Sequence, residues 1–293
     1  MTRKPVFKTL LILIFFAPPL CAQNVEAQLK KVAYNVEFAV LPIRDNGLEN
    51  LPPNHPPVMQ VVGTAFLVTP DGYFVTAAHV LQDYKPKTAQ VTVGLRQRSG
   101  DGGGLWFDLI EKDEAHDLAL CKTTIPLPEF KQHKDNPGTE TPIASLRITT
   151  AEPITGGFIA IAGFPLGSSG DPTIQFGTVA ATRTTNPNAG GVPAGQRELL
   201  QISVPGNGGN SGSPVLDLDT GDVIGVIVQV EAAPLLSTIS GKQLLDIGLA
   251  QSSGVMLAVP ASWVQDLLKR HNVQSVAQPP PQGHTSYVPV ASK

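Results

Sequence analysis

Residues 61–81 read VVGTAFLVTPDGYFVTAAHVL. Two apolar runs, 61–69 and 73–81, flank Pro70, Asp71 and Gly72. Both runs are rich in Val, Phe, Thr and Tyr, and the three residues between them favour a turn, so the stretch predicts a β-hairpin. The second run ends on a histidine, His79, set among small residues that permit close approach.

The same style extends in both directions. Upstream, VAYNVEFAVLPI (32–43) reads as a strand and NGLENLPPNHPPV (46–58) as a proline-broken loop. Downstream, AQVTVGLR (89–96), LWFDLIEKD (105–113) and DLALCKTT (117–124) add strands, with the Gly-rich turn SGDGGG (99–104) between the first two. A linker rich in Pro and Thr, around 126–155, separates these from a second block of strands. That block comprises GFIAIAGFP (157–165), TIQFGTVAATRTT (173–185), ELLQISV (198–204), SPVLDL (213–218), DVIGVIVQV (222–230) and VMLAVP (255–260). One helix is expected, ASWVQDLLKRH (261–271), where Trp263, Leu267 and Leu268 share a face after Pro260. Residues 231–254 are ambiguous, and KQLLDIGLAQ (242–251) reads as a short helix inside an inserted loop. From 278 to 293 the chain is Pro-rich and aperiodic, which predicts a disordered tail.

The length of 293 residues accommodates one large domain or two small ones. With 28 glycines and 27 prolines, many short strands joined by turns fit better than long helices. A formal net charge of −3 gives no reason to expect nucleic acid or an anionic membrane as partner. Arg3, Lys4 and Lys8, then the short apolar run TLLILIFFA and a small residue at Ala22, have the three-part layout of a secretory signal over residues 1–22. A retained anchor is the alternative, but the run is short for a bilayer. Pro18, Pro19 and Leu20 are poor residues ahead of a lipidated Cys21. Removal of the signal leaves Cys121 as the sole cysteine, incapable of an internal disulfide and most simply a small buried residue. Export to the periplasm or the extracellular space follows, with no stable membrane association after cleavage.

The chemistry is concentrated in PGNGGNSGSPVL, residues 205–216. A phosphate loop would need a Lys and a Ser or Thr after its glycines and then a helix; here a strand-like SPVLDL follows and no Lys appears until Lys242. A serine nucleophile makes better sense of the composition. A hydroxyl needs a neighbouring base and donors for the oxyanion, and glycines let backbone N–H groups turn inward. With Ser211 as nucleophile, its own N–H and that of Gly209 are placed to serve the oxyanion. Of the six histidines, His55, His133, His271 and His284 read as solvated surface residues, and His116 as a strand-end residue beside Asp117. His79 stands apart at the end of its strand. Asp117 opens the apolar run DLALC, where a partly buried carboxylate would need a donor such as an imidazole N–H. CxxC and HExxH patterns are absent, so no metal or cofactor is expected.

TAAHV, DLAL and GNSGSP, in that order, resemble the trypsin/chymotrypsin-like serine proteases. The resemblance extends to the bacterial HtrA-like branch through GTAFLVTPDGYFVTAAHV, GFIAIAGFPLG, FGTVAATR and VMLAVPASWVQDLL, and covers roughly residues 30–271. It implies an all-β fold of two antiparallel β-barrels, roughly 30–125 and 155–260, with a closing helix at 261–271, all within a protease domain spanning 23–277. It further implies that His79 is the general base, Asp117 its orienting carboxylate and Ser211 the nucleophile, with Gly209 and Ser211 forming the oxyanion hole. Val80 follows the histidine where many animal members have a disulfide cysteine. HtrA-like proteins usually carry a PDZ domain after the protease, and none is expected in the residues that follow here. Homo-oligomers are common in that branch.

Pro205 stands six residues before Ser211, where trypsin-type members have an Asp, so cleavage after Lys or Arg is not expected. GGNSGSPV also resembles the glutamyl endopeptidases, but Ile227 stands where those carry a His. By elimination the pocket suits a small or medium apolar side chain, lined by Pro205, Gly206, Val226 and Ile227. The function expected is therefore exported serine endopeptidase activity on polypeptides. An ester-directed hydrolase is a smaller variation on this. The rival is a non-catalytic binding or chaperone-like module that keeps the protease fold.

Overall fold

The computed structural model describes residues 28–29, 32–33, 36, 38–45, 60–86, 89–92, 104–124, 144–149, 151–168, 171–185, 197–234, 238–239, 242–243 and 250–277. Residues 1–22, read as a secretory signal, residues 278–293, read as a tail, the greater part of the 126–155 linker and His55, His133 and His284 lie outside these residues.

Strands β1 (Val40–Asp45), β2 (Gln60–Leu67), β3 (Tyr73–Ala77), β4 (Ala89–Thr92), β5 (Gly104–Asp113) and β6 (Leu118–Thr123) close into an antiparallel barrel in the order β1-β2-β3-β6-β5-β4. Strands β7 (Phe158–Gly163), β8 (Thr173–Thr185), β9 (Arg197–Ile202), β10 (Pro214–Asp217), β11 (Val223–Pro234) and β14 (Ala250–Pro260) close a second, in the order β10-β11-β14-β9-β8-β7. A two-stranded ribbon, β12 (Thr238–Ile239) and β13 (Lys242–Gln243), stands between β11 and β14. Helix α1 (Ala261–Arg270) follows β14 directly. The double barrel expected from the sequence motifs is the fold observed.

The apolar runs are continuous rather than alternating because both faces of the inner strands are covered. Along β2 and β3, Ala65, Leu67 and Phe74 fill the first barrel, whereas Phe66 and Val75 face the seam between barrels. Along β6, Ala119 and Cys121 point inward, with Leu118 and Leu120 in the seam. The second barrel repeats the rule: Ile159, Ile161, Val215 and Ile227 point inward, and Ala160, Ala162, Leu216 and Val226 face the seam. Val264, Leu267 and Leu268 of α1 complete that seam. The interior of the first barrel is locked by aromatics: the Phe107 ring meets Phe74 edge-on at 5.1 Å and stacks on Tyr84 at 5.0 Å. Cys121 is fully buried and free, as its surroundings in the sequence suggested.

Two expectations are corrected. Residues 32–43 are not one strand. Described residues at 32–33, 36 and 38–39 are helical and the strand starts at Val40. The buried Val32, Val36 and Ala39 recur at i, i+4 and i+7, a helical period overlooked among strand-forming residues. Likewise, 242–251 does not begin as a helix, since Lys242 and Gln243 pair with Ile239 and Thr238, and Ala250–Gln251 already belong to β14. Residues 244–249 lie outside the described part.

Candidate active site

The first barrel supplies an imidazole–carboxylate pair. β3 ends at Ala77 and passes into a short 3-10 turn, Ala78–Leu81, which carries His79. The β5–β6 turn ends at Asp117, whose φ of +56° is left-handed for a residue with a side chain. That conformation sends the carbonyl of Asp117 to Ala78 N at 3.0 Å and its Oδ1 to His79 N at 2.8 Å. Oδ2 then lies 2.8 Å from His79 Nδ1. A carboxylate can only accept, so Nδ1 carries the proton, and in the neutral ring the lone pair is then on Nε2. The imidazole is 43% exposed and the carboxylate 18%, so the ring faces solvent while the carboxylate is sheltered.

The second barrel presents residues 205–213 as a loop of successive tight turns. Asn210 N–H donates to Asn207 O at 3.2 Å, and Ser213 N–H to Asn210 O at 3.0 Å. Gly212 N–H donates to Ile227 O at 2.7 Å. The N–H groups of Gly209 and Ser211 donate to no acceptor among the described residues. Leu166 N–H donates to Gly208 O at 2.6 Å. Because a trans peptide is planar, this bond turns the Gly209 N–H to the opposite side of the same plane.

Backbone freedom is required at two positions here. Gly209 has φ +94°, and a Cβ there would sit 2.2 Å from Phe164 O. Gly212 has φ +86°, and its Cβ would sit 2.0 Å from Thr64 O and 3.1 Å from Ala77 N. Any larger residue at 212 would push the serine loop away from the strand that leads to His79.

Thr64 stitches the two loops together. Its N–H donates to Ser211 O at 2.9 Å and its Oγ1 donates to Gly209 O at 2.7 Å. The same Oγ1 accepts from Phe164 N at 3.1 Å, and Thr64 O accepts from Thr76 Oγ1 at 2.7 Å. One buried threonine of the first barrel thus fixes the serine loop of the second against the strand bearing the imidazole.

The pocket residues expected from the sequence separate. Pro205 is exposed and Gly206 is buried. The side chains of Val226 and Ile227 are fully buried, Val226 in the seam and Ile227 inside the second barrel, the interior that also holds Met256. The side chain that meets Gly206 is Met256, whose Cγ and Sδ lie 2.4 Å and 2.6 Å from where a Cβ would stand. Met256 Sδ also receives Asn210 Nδ2 at 3.9 Å. Sequence reading gave no role to Thr64 or Met256, although both lie within the runs that resemble the HtrA-like branch. The reading of His271 as solvated is corrected: it is half-buried and paired with Glu111, while His116, in the turn before β6, stacks on Trp263.

Two closed six-stranded barrels, with an oriented imidazole on one and a glycine-lined serine loop on the other, define a double-barrel protease architecture. Residues 63–226 match the trypsin-like peptidase domain, and the chain belongs to that family. A probable periplasmic serine endoprotease of DegP-like type from Pseudomonas fluorescens is 30% identical over 172 residues, covering 58% of this chain and 30% of that protein. One of the same description from Brucella suis is 28% identical over 272 residues, covering 89% of this chain and 44% of that protein. The chain therefore spans less than half the length of these curated relatives. Among solved structures, the HtrA-type protease AlgW with decapeptide superposes with a TM-score of 0.56 at 19% identity, over 82% of this chain and 66% of that one.

Proposed function

We propose that the protein is an exported serine endopeptidase in which Ser211, His79 and Asp117 act as a triad. The observation that carries this reading is the 2.8 Å bond between His79 Nδ1 and Asp117 Oδ2, which supports Nε2 of the neutral ring as the base. Ser211 Oγ attacks the scissile carbonyl carbon, and His79 Nε2 takes the hydroxyl proton. The carbonyl oxygen becomes an oxyanion that accepts from the N–H groups of Gly209 and Ser211. Collapse of the adduct breaks the C–N bond, and His79 returns the proton to the leaving amine. Water, deprotonated by the same imidazole, then releases the acyl group and restores Ser211. Asp117 keeps its charge throughout and stabilises the imidazolium.

The substrate class is polypeptide, in line with relatives named as endoproteases. A small or medium apolar side chain is favoured before the scissile bond, because Met256 occupies the space beside Gly206 and no charged group stands at Pro205. The domain spans 23–277, and export rests on the layout of residues 1–22 together with relatives named as periplasmic.

Labelling of the purified protein with a fluorophosphonate probe, beside Ser211→Ala and His79→Ala, tests the proposal. Labelling lost in both variants supports the triad. Undiminished labelling in Ser211→Ala would assign the nucleophile elsewhere, and an unlabelled parent, with or without an unfolded protein substrate, would favour a binding module.

A further inference from the structure

Helix α1 does more than seal the seam, because its ends reach back onto the first barrel. The Trp263 indole lies on the His116 imidazole, with centroids 3.8 Å apart and planes 20° from parallel. Arg270 gives Nε and Nη2 to Glu111 Oε1 at 3.0 Å and 2.7 Å, and Nη2 also to Asp113 Oδ2 at 2.8 Å. His271 Nε2 meets Glu111 Oε2. Asp113 in turn grips His116, accepting its N–H at 3.2 Å and facing its Nδ1 at 3.0 Å with both oxygens. His116 is thus fixed at its ring edge by a carboxylate and on one ring face by an indole, and the groups behind it belong to the helix.

The next residue along the chain is Asp117. Its left-handed φ of +56° is a conformation that a residue with a side chain keeps only where its surroundings over-determine it. On its far side Asp117 is held by its bonds to Ala78 and His79. On its near side the chain has only the 114–117 turn, and within that turn His116 is clamped locally by Asp113 and from the helix by Trp263.

We propose that His116 is a positioning residue: held between Asp113 and Trp263, it fixes the 114–117 turn in the conformation that presents the Asp117 carboxylate to His79. The helix that closes the second barrel thereby sets the orientation of the base that serves the serine on that same barrel. This rests on the reading of His79 and Asp117 as parts of a triad.

The test uses the full chain and the variants His116→Asn, Trp263→Phe, Arg270→Met and Ser211→Ala. Turnover of fluorescein-labelled casein, the rate of fluorophosphonate labelling and the low-field proton resonance of His79 Nδ1–H are measured for each. His116→Asn is expected to lower kcat and labelling rate about tenfold, leave KM within about twofold, and weaken or shift that resonance. Trp263→Phe keeps an aromatic face and should stay within about threefold of the parent. A folded His116→Asn with parental kcat and resonance would overturn the proposal. Should His116→Asn fail to fold, Arg270→Met carries the test, since that guanidinium is 43% exposed and its removal frees Asp113 from the helix. Parental kcat in Arg270→Met would then overturn the proposal. If the parent shows no Ser211-dependent labelling, yet the resonance is present and is lost in His116→Asn, the positioning role stands and the catalytic reading falls.

Discussion

Thr64 illustrates how much of the site rests on single polar groups. Its hydroxyl serves Gly209 O and Phe164 N at once, and both are buried with it or near it. Thr64→Val keeps the shape of the side chain and strips the hydroxyl, leaving one acceptor and one donor without partners. The expected cost is about 1–3 kcal/mol, read as a lower melting temperature, accompanied by a fall in kcat as the Gly209 peptide loses its anchor. An unchanged melting temperature and kcat would show that the loop orders itself without Thr64. Met256 belongs to the same scale. Met256→Ala should widen the space beside Gly206 and move the cleavage profile of a peptide library toward larger residues before the scissile bond. Neither residue was legible in the sequence, for a physical reason: the partners of the Thr64 hydroxyl lie 145 and 100 residues away, and no local pattern encodes them. His79 and Asp117 were legible because each ends or opens an apolar run, where a polar side chain needs a purpose. The burial of both Val226 and Ile227 follows from β11 being covered on each face, which the apolar run alone does not reveal.

Among the elements, the strands were the readable part. β8 and β7 fall within the runs read from sequence because Gly and Pro punctuate them on either side. What the sequence did not carry was register and closure, which depend on pairings such as Ile43 with Val91 that join distant segments. The helical turns before β1 were lost because Val32, Val36 and Phe38 are β-formers, and burial against the seam overrides their preference. The hub of the first barrel is Phe107 on β5, stacked on Tyr84 and met edge-on by Phe74. The Tyr84 hydroxyl donates to Phe107 O, and burial pushes its pKa up to about 12. Phe107→Ala is expected to destabilise the protein by roughly 3–5 kcal/mol through the cavity it leaves. Cys121, in the same interior and with its thiol raised by burial, gives the readout: alkylation of the Cys121 peptide should be slow in the parent and much faster in this variant. Equal alkylation rates in the two proteins would contradict this account of the barrel interior.

At the scale of the whole molecule, the two barrels are joined by packing and by ions. The seam is apolar, but its rim carries the Glu111–Asp113–Arg270–His271 group between β5 and α1. The Arg270 guanidinium, opposed by partial burial and aided by His271, holds the Glu111 carboxyl below its usual range. Burial works to raise Asp113, yet hydrogen bonds from His116 and Arg270 outweigh it and the net shift is downward. Carboxyls lowered on folding contribute stability that is complete above the unfolded value, about 4, and is lost as pH falls through the folded values. The melting temperature should therefore decline from about pH 5 downward, and Arg270→Met should flatten that decline. A parental slope in the variant would place the acid sensitivity elsewhere, for instance at Asp71, whose carboxyl is also lowered, burial being outweighed by Lys122 and Thr69.

The strap that follows α1 ties to the first barrel and to the segment between the barrels: Val276 N–H donates to Val68 O at 2.9 Å, and Ser275 Oγ accepts from Ile148 N at 3.1 Å. Ribosomes deliver this strap and the helix before it after every barrel strand has been made. A nascent chain arrested before residue 261 would hold every described barrel strand and the serine loop, yet lack Trp263 behind His116 and the ties at Val68 and Ile148. With His116 in the positioning role proposed above, the strands alone do not order the site, which waits for residues 261–276 to pack against them.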